Sequence, residues 1–181
     1  MDHNQRLLAS WGKEFTSIAK MPDTEAMATD LTWIGKTKNK SAQLTASEGD
    51  SLEMVSSGGE LEDFQQNEGK YEYTVRVLEP TDDLLTLLGL GNKNGEDFDV
   101  TSHVVHAFYS LQVEPQRVGG RGIRAPKCSI TYIPGYSEED GNYADLKFRI
   151  LHNASGYWYR RFAKKAATTP AKAASAPTQE A

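Results

Sequence analysis

Two alternating stretches flank an acidic segment, and this arrangement constrains the fold more than any other feature. Ser41–Ser47 and Tyr71–Glu79 place apolar or aromatic residues at every second position, as strands do when they bury one face. From residue 47 to residue 79, nine acidic residues stand against Lys70 and Arg76, a local net charge of −7. The sequence therefore predicts a β-scaffold that carries a concentrated negative patch.

Further short segments rich in β-branched and aromatic residues follow the same pattern. Short turns between them favour antiparallel pairing. The prediction is a mainly β fold, an antiparallel β-sandwich or half-barrel of about seven to eight strands. The additional predicted strands are Leu31–Ile34, Ser51–Val55 paired with Ser41–Ser47, Phe98–Val113 with a bend near Ser102, Cys128–Ile133, Ala144–Leu151 and Tyr157–Phe162.

Two segments carry helical signals. Apolar residues from Leu7 to Ile18 recur at spacings of three and four, which predicts a helix over residues 4–20 or a terminal arm within 1–24. Residues 81–89 predict one short helix, because Thr81 suits the N-cap, two aspartates follow it, and Gly89 suits the C-terminal end.

The folded domain is expected to span residues 25–163. From Lys164 the chain has no aromatic or branched aliphatic residue, so residues 164–181 are predicted to be a disordered tail. The tail carries three lysines and one glutamate, a net charge of +2; since the whole chain carries −5, the body of the chain carries −7. Such an acidic body is a poor candidate for tight nucleic-acid binding.

Composition also bears on the compartment. No basic start with an apolar run opens the chain, and no apolar stretch approaches the roughly 20 residues of a membrane helix. Cys128 is the one cysteine, so an intramolecular disulfide is impossible. We expect a protein made in a reducing cytoplasm, with no membrane partner.

The sequence contains only weak signals for a metal site or a catalytic site. His103 and His106 would point to opposite faces of a strand and could not share a metal; one is expected to be buried and one exposed. Asp97, Asp99 and His103 lack a nucleophile motif around the nearby serines. We therefore expect no catalytic residue, metal or cofactor, and no enzyme.

Two charged surfaces are expected instead. Residues Pro115–Pro126 read as a flexible basic loop with Arg117, Arg121 and Arg124; as a phosphate cradle this loop lacks a following helix. We expect the loop to meet an acidic surface across a subunit boundary. The acidic residues expected to form a partner or inner surface are Glu48, Asp50, Glu53, Glu60, Glu62 and Asp63.

The order of these parts resembles that of the major tail tube proteins of bacteriophages. The matching parts are the hairpin with its acidic loop, a strand ending at Glu79-Pro80, the helix LLTLLG, a basic Gly/Pro loop and the closing run IRAPKCSITYIPGYSEEDGNYADLKFRIL. The resemblance covers about residues 25–163. Contractile-injection tube proteins share the same architecture.

The resemblance implies a virion structural protein, made in the host bacterial cytoplasm and located in the tail. It implies hexameric rings that stack into a tube with an acidic lumen, through which DNA passes without tight binding. On this resemblance, the six acidic residues named above are expected to face the lumen or the next ring. Implied partners are copies of the chain itself and other tail proteins such as the tape measure and the terminator. The alternative is a monomeric β-sandwich that binds carbohydrate or protein through aromatics such as Trp158.

Overall fold

The computed structural model describes residues 14–55, 57 and 61–165. Within them the chain forms thirteen strands and one helix. The strands are β1 Glu14–Lys20, β2 Thr32–Trp33, β3 Lys36–Thr37, β4 Gln43–Ser47, β5 Ser51–Val55, β6 Leu61–Gln66, β7 Lys70–Leu78, β8 Gly91–Asn94, β9 Asp97–Val100, β10 Phe108–Pro115, β11 Arg121–Ser137, β12 Gly141–Ile150 and β13 Arg160–Ala163, and the helix is α1 Asp82–Leu87.

One curled antiparallel sheet dominates the molecule. Its strands follow one another in the order β2-β1-β10-β11-β12-β7-β3, while β4 joins beside β7 and β13 beside β11. Two hairpins, β5–β6 and β8–β9, pair outside this sheet. The predicted mainly β, antiparallel half-barrel is therefore confirmed.

The curled sheet encloses the hydrophobic core. Alternate residues of the strands point inward, among them Val75 and Val77 of β7 and Leu146 and Phe148 of β12, because successive strand residues face opposite sides. Across the core, the Thr16 and Tyr73 hydroxyls are hydrogen-bonded at 2.8 Å and both residues are buried. This bond joins β1 to β7, which are not neighbours in the sheet, so the sheet must curl.

Helix α1 covers the core at one end of the sheet, as the sequence predicts. The Thr81 hydroxyl accepts a hydrogen bond from the Leu84 N–H at 3.3 Å, and Asp82 and Asp83 lie in the first turn. Gly89, with φ of +70°, follows the C-cap, and the Leu90 N–H donates to the Leu85 carbonyl; this is a Schellman ending. The buried leucines of this segment are Leu84, Leu85, Leu88 and Leu90.

The predicted N-terminal helix is wrong for residues 14–20, which form β1. Seven consecutive residues of β1 pair with β10, from Glu14 opposite Pro115 to Lys20 opposite Tyr109. Thr16 and Ile18, two positions apart, are both fully buried. Phe15 and Ile18 therefore fit a helical spacing by coincidence, and pairing with β10 makes this segment a strand. Residues 1–13 lie outside the described part of the chain.

The acidic segment is also different from the prediction. Ser51–Val55 does not pair with β4; it pairs with β6, while β4 pairs with β7. The sequence predicts no strand between Glu60 and Gly69, but this stretch contains β6. Hydrophobic alternation arises where one strand face is buried, and the described β5 residues are mostly exposed, so the pattern that marks a strand is weak here.

The predicted bounds of one strand and one loop are also wrong. Phe98–Val113 is not one bent strand, because residues 101–107 separate β9 from β10. Pro115–Pro126 is not a flexible loop, because β11 begins at Arg121 and runs for 17 residues. Both glycines at 120 and 122 are buried at close approaches to neighbouring chain, so they serve packing rather than mobility.

The last strand, Arg160–Ala163, begins three residues later and ends one residue later than predicted. Its pairing continues into the expected tail. The Lys164 N–H donates to the Gly120 carbonyl and the Lys164 carbonyl accepts from the Gly119 N–H. The Lys164 ammonium also lies 3.2 Å from the Glu114 carboxylate. Residues 166–181 lie outside the described part of the chain.

We expect Leu85→Asp or Leu88→Asp to lower the free energy of unfolding by several kcal/mol, because each places an unpaired carboxylate in the core. Chemical denaturation with a circular dichroism readout measures this change. Leu52→Asp is the matched control, since Leu52 is 60% exposed and its substitution should change stability little. Wild-type stability in both core variants would mean that α1 does not cover the core.

Candidate assembly surfaces

Strands β5 and β6 form a hairpin that extends beyond the main sheet; residues 48–69 are called the acidic hairpin below. Its strands continue β4 and β7, since Ser47 pairs with Lys70 and the Asn67 N–H donates to the Asp50 carbonyl at 2.9 Å. Within the described residues, β5 and β6 pair only with each other. The hairpin is thus a projecting two-stranded ribbon.

The stem of the acidic hairpin is tightly defined. A Cβ atom at Gly49 would collide with the backbone of Asn67, and one at Gly69 would collide with the carbonyl of Ser47. Only glycine allows the two chains to approach so closely. Beside the stem, the Glu68 carboxylate lies 3.2 Å from the His152 imidazole. These contacts fix where the hairpin leaves the body.

The acidic hairpin exposes apolar as well as acidic side chains. Leu52, Met54 and Val55 are each more than half exposed. Exposed apolar groups on a projecting ribbon are typical of a surface that another molecule covers. Of the predicted acidic set, Glu48 and Asp50 are exposed at the stem, Glu53 lies on β5, Glu62 and Asp63 lie on β6, and Glu60 falls outside the described residues.

The predicted arginines belong to a larger cationic surface. Strand β13 pairs with the start of β11, and this pairing brings Arg160 and Arg161 beside the predicted residues. The sequence shows that Arg160 and Arg161 are adjacent, but only the strand pairing reveals that they lie near Arg121 and Arg124. The surface, called the basic end, consists of Arg117, Arg121, Arg124, Arg160, Arg161, Lys164 and Lys165.

Two arginines of the basic end are held directly opposite each other. Arg124 and Arg160 are partners in the β11–β13 register, an arrangement in which like charges repel. Arg124 lies over the Phe162 ring at 4.1 Å and donates to the Gln112 side-chain oxygen at 2.7 Å, while Arg160 lies over the Tyr157 ring at 4.4 Å. Bound acidic groups would offset this repulsion.

A third surface is formed where four strands lie side by side. The part of β11 beyond Cys128, then β12, β7 and the β3–β4 pair, make what we call the distal sheet. One outer strand is β11, whose pairing with β10 ends at Ser129. The other edge is formed by β3 and β4, which follow one another along β7. Among the described residues, both pair only with β7. The distal sheet therefore has two open edges in the described chain.

The open edge of β11 borders an apolar groove. A cavity of about 640 Å³ lies between residues 103–105 and 129–134. The Leu151 N–H donates to the Lys127 carbonyl. The backbone N–H and C=O groups of odd-numbered residues in this part of β11 therefore point toward β12, and those of even-numbered residues point toward the open edge. Pro134 falls on the open side and has no N–H to leave unpaired. Exposed Ile133 and Tyr136, the latter 78% exposed, lie beside it.

The other open edge is shaped by an ion-pair network. Between β3 and β4 the chain bulges, and the Ser41 hydroxyl accepts the Arg76 backbone N–H at 3.1 Å. The Asp140 carboxylate, only 7% exposed, lies 2.8 Å from the Lys38 ammonium and 2.9 Å from the Arg76 guanidinium. Arg76 also binds both oxygens of Asp145, at 2.7 and 2.9 Å. The network ties the β11–β12 turn to the bulge.

The hydrogen bond from Lys38 holds the pKa of the Asp140 carboxyl below its ordinary value, and the bond from Arg76 acts in the same direction. The hydrogen bonds to Asp145 and Asp140 raise the pKa of the Arg76 guanidinium, with Asp145 as the main cause. Both shifts favour the charged forms. The bulge is therefore fastened most firmly when the carboxylates are ionised.

The candidate catalytic and metal-binding side chains do not lie together in one site. His103 and His106 are both exposed and lie in the irregular segment 101–107, so the expectation of one buried histidine is wrong. Cys128 is fully buried, and burial raises the pKa of its thiol. In the described residues, no group of three His, Cys, Asp or Glu side chains could hold a metal ion.

The aromatic run 157–159 packs against the body of the chain. The Trp158 ring meets the Tyr71 ring edge-on at 5.5 Å and the His152 ring at 4.0 Å, and Tyr159 meets Tyr71 at 5.4 Å. Trp158 is only partly exposed. This ring is therefore used in an intramolecular cluster.

No protein-family model and no curated protein sequence matches the chain. Across the described residues, no helix has the length and apolar character needed to cross a bilayer.

We expect Asp140→Asn to lower the melting temperature at pH 7, because it leaves Lys38 and Arg76 with one carboxylate fewer. Since folding depresses the Asp140 pKa, its contribution is present above the unfolded value of about 4 and is lost as the pH falls through the folded value. As the pH falls below about 4, the difference between Asp140→Asn and wild type should shrink. Thermal melts across this range, with the exposed Glu138→Gln as the control, measure it; a constant difference at every pH would contradict the role of the Asp140 charge.

Proposed function

We propose that the chain is the tail tube subunit of a bacteriophage virion, which closes into rings and stacks them into a DNA-conducting tube. The observation that carries the proposal is the distal sheet with its two different open edges. The free backbone groups of one edge can pair with those of the other edge on the next copy. Such a head-to-tail contact between unlike surfaces generates a ring when the rotation closes.

The dimensions of such a ring suit a DNA duplex. Six copies, the number that the resemblance implies, would contribute about 24 strands, and at about 4.8 Å per strand the wall has a circumference of about 115 Å. The backbone diameter is then about 37 Å, and strand tilt increases it. A bore wide enough for a duplex remains after the side chains on the inner wall are subtracted.

The core and α1 determine which side of the sheet faces the bore. They lie on one face of the distal sheet, and a ring with this bulk inside would have no channel. The opposite, solvent-exposed face would therefore form the inner wall. The acidic hairpins would then project from the ring along the tube.

Stacking is supported by charge. The acidic hairpin of one ring and the basic end of another are complementary surfaces, and docking would cover the exposed Leu52, Met54 and Val55. It would also offset the repulsion between Arg124 and Arg160. Surface ion pairs are weak singly, so only the whole cluster should have a measurable effect. Tape measure and terminator proteins would meet the ends of the stack.

A binding module is the rival function, and the groove beside β11 is the observation that favours it. A peptide could add as a strand to the same open edge and place apolar side chains in the groove. Trp158, which the sequence suggested for carbohydrate, is committed to its contacts with Tyr71 and His152. Size-exclusion chromatography separates the two functions, because the module remains a monomer at all concentrations.

We expect Ile133→Lys with Tyr136→Lys to keep the protein monomeric, because the two charges stand beside the β11 edge. Negative-stain microscopy and sedimentation of the concentrated protein measure this. Trp33→Lys with Val100→Lys adds the same charge at exposed positions outside the distal sheet and should assemble as wild type does. If the edge variant forms wild-type rings, the edge pairing is wrong.

We expect Arg117→Glu with Arg161→Glu to block the stacking of rings while the monomer remains folded. Both residues are exposed, so the charge changes without loss of packing. Lys20→Glu with Lys93→Glu gives the same charge change elsewhere and should stack normally. Glu48→Lys with Asp50→Lys should partly restore stacking of the Arg variant, and added salt should weaken wild-type stacking. Normal tubes from the Arg variant at low salt would exclude this contact.

A further inference from the structure

The solvent-exposed face of the distal sheet is cationic although the chain as a whole is acidic. The cross-strand register places Ser129, Arg149, Glu72 and Thr45 in one row, and the next rows along the strands belong to the same face. We call this surface the polar face. Its charged residues are Lys36, Lys70, Arg76, Lys147, Arg149, Glu72 and Asp145.

Five cations against two carboxylates give this face a net charge of +3, whereas the whole chain carries −5. Arg76 is already paired, with Asp145 through two hydrogen bonds and with Asp140 at 2.9 Å. The remaining four cations, Lys36, Lys70, Lys147 and Arg149, are exposed. None of them forms an ion pair with a described residue, which leaves their charge available to a ligand.

Hydroxyl and amide groups fill the space between these cations. Thr131, Lys147, Thr74 and Gln43 form one complete row across the four strands. A concavity of about 400 Å³ opens on the same face, between this row and the bulge that carries Lys40. Lys, Arg, Ser, Thr and Gln side chains are the groups that contact phosphate oxygens without reading bases.

We propose that the polar face binds the phosphodiester backbone of a nucleic acid without sequence preference. The flat sheet presents its cations over four adjacent strands, about 15 Å across at about 4.8 Å per strand. In a ring this face would form the inner wall, and that placement rests on the proposed function; binding by the monomer does not. The inference replaces the expected acidic lumen with a weakly cationic one.

The binding should be weak and strongly dependent on salt. Four neutralised phosphates predict a slope of about −3.6 for log affinity against log salt, or a loss of about 100-fold between about 50 and 200 mM salt. The acidic remainder of the chain opposes tighter binding. A contact that salt loosens so readily allows a duplex to slide past the face.

The test uses the full chain, separated into monomer and any assembled species, and a fluorescein-labelled DNA duplex in an anisotropy assay. Lys36→Gln, Lys70→Gln, Lys147→Gln and Arg149→Gln together should weaken binding at least about tenfold at about 50 mM salt. For a matched comparison, Lys147→Gln with Arg149→Gln should weaken binding, whereas Lys20→Gln with Lys93→Gln, which lie outside both the polar face and the basic end, should change affinity less than about twofold. Inorganic phosphate at equal ionic strength should not compete with the duplex.

Three results would overturn the proposal: no binding by wild type at low salt, equal binding by the polar-face variant, or a loss of binding caused by Arg117→Gln with Arg161→Gln but not by the polar-face substitutions. The last would place the nucleic acid on the basic end. Competition by inorganic phosphate would reduce the site to a simple anion site, which also contradicts a phosphodiester ligand. If the monomer binds DNA but never forms rings, nucleic-acid binding by the polar face is supported and the proposed tail tube function is wrong.

Discussion

Strand β11 is the constraint on which the rest of the fold depends. It pairs with β10 and β13 through its first residues and with β12 through its last ten. Because its backbone groups alternate between its two sides, β10 occupies one edge while β13 and β12 share the other. Where β10 ends, the edge stays open beside the apolar groove. One strand thus sets the core of the molecule and creates the surface through which copies are proposed to pair.

Glycines on β11 make room for the side chains that complete it. The Gly122 position lies under the Phe162 ring, and Gly135 lies under the Tyr143 ring. An arginine then covers each ring, Arg124 over Phe162 and Arg76 over Tyr143, both at 4.1 Å. Cross-strand pairing of glycine with an aromatic compensates for the missing side chain. The stacked arginines connect these packing sites to the basic end and to the Asp140 network.

Sequence patterns located the elements whose signal comes from burial or capping. The strand β7 and the helix α1 could be predicted, since one alternates core residues and the other carries its cap and its leucines. The acidic hairpin could be predicted only in part: the strand Ser51–Val55 lies where the sequence predicts it, but its partner β6 was missed, because a ribbon that projects from the body carries no pattern of buried residues. β1 was mistaken for a helix because Phe15 and Ile18 satisfy two periods at once, and pairing with the distant β10 decides between them. Arg160 joins Arg124 only through strand register, which no local pattern reveals.

The distribution of charge, rather than its sum, connects the surfaces. A net charge of −5 argues against nucleic-acid binding only if the charge is spread evenly. Here the hairpin segment is strongly negative, while the basic end and the polar face are positive. Self-association would bring the hairpin onto the basic end and neutralise both, which leaves the polar face as the exposed cationic surface. Assembly would therefore increase the tendency to bind polyanions that the monomer's net charge opposes, so affinity for DNA should rise when rings stack.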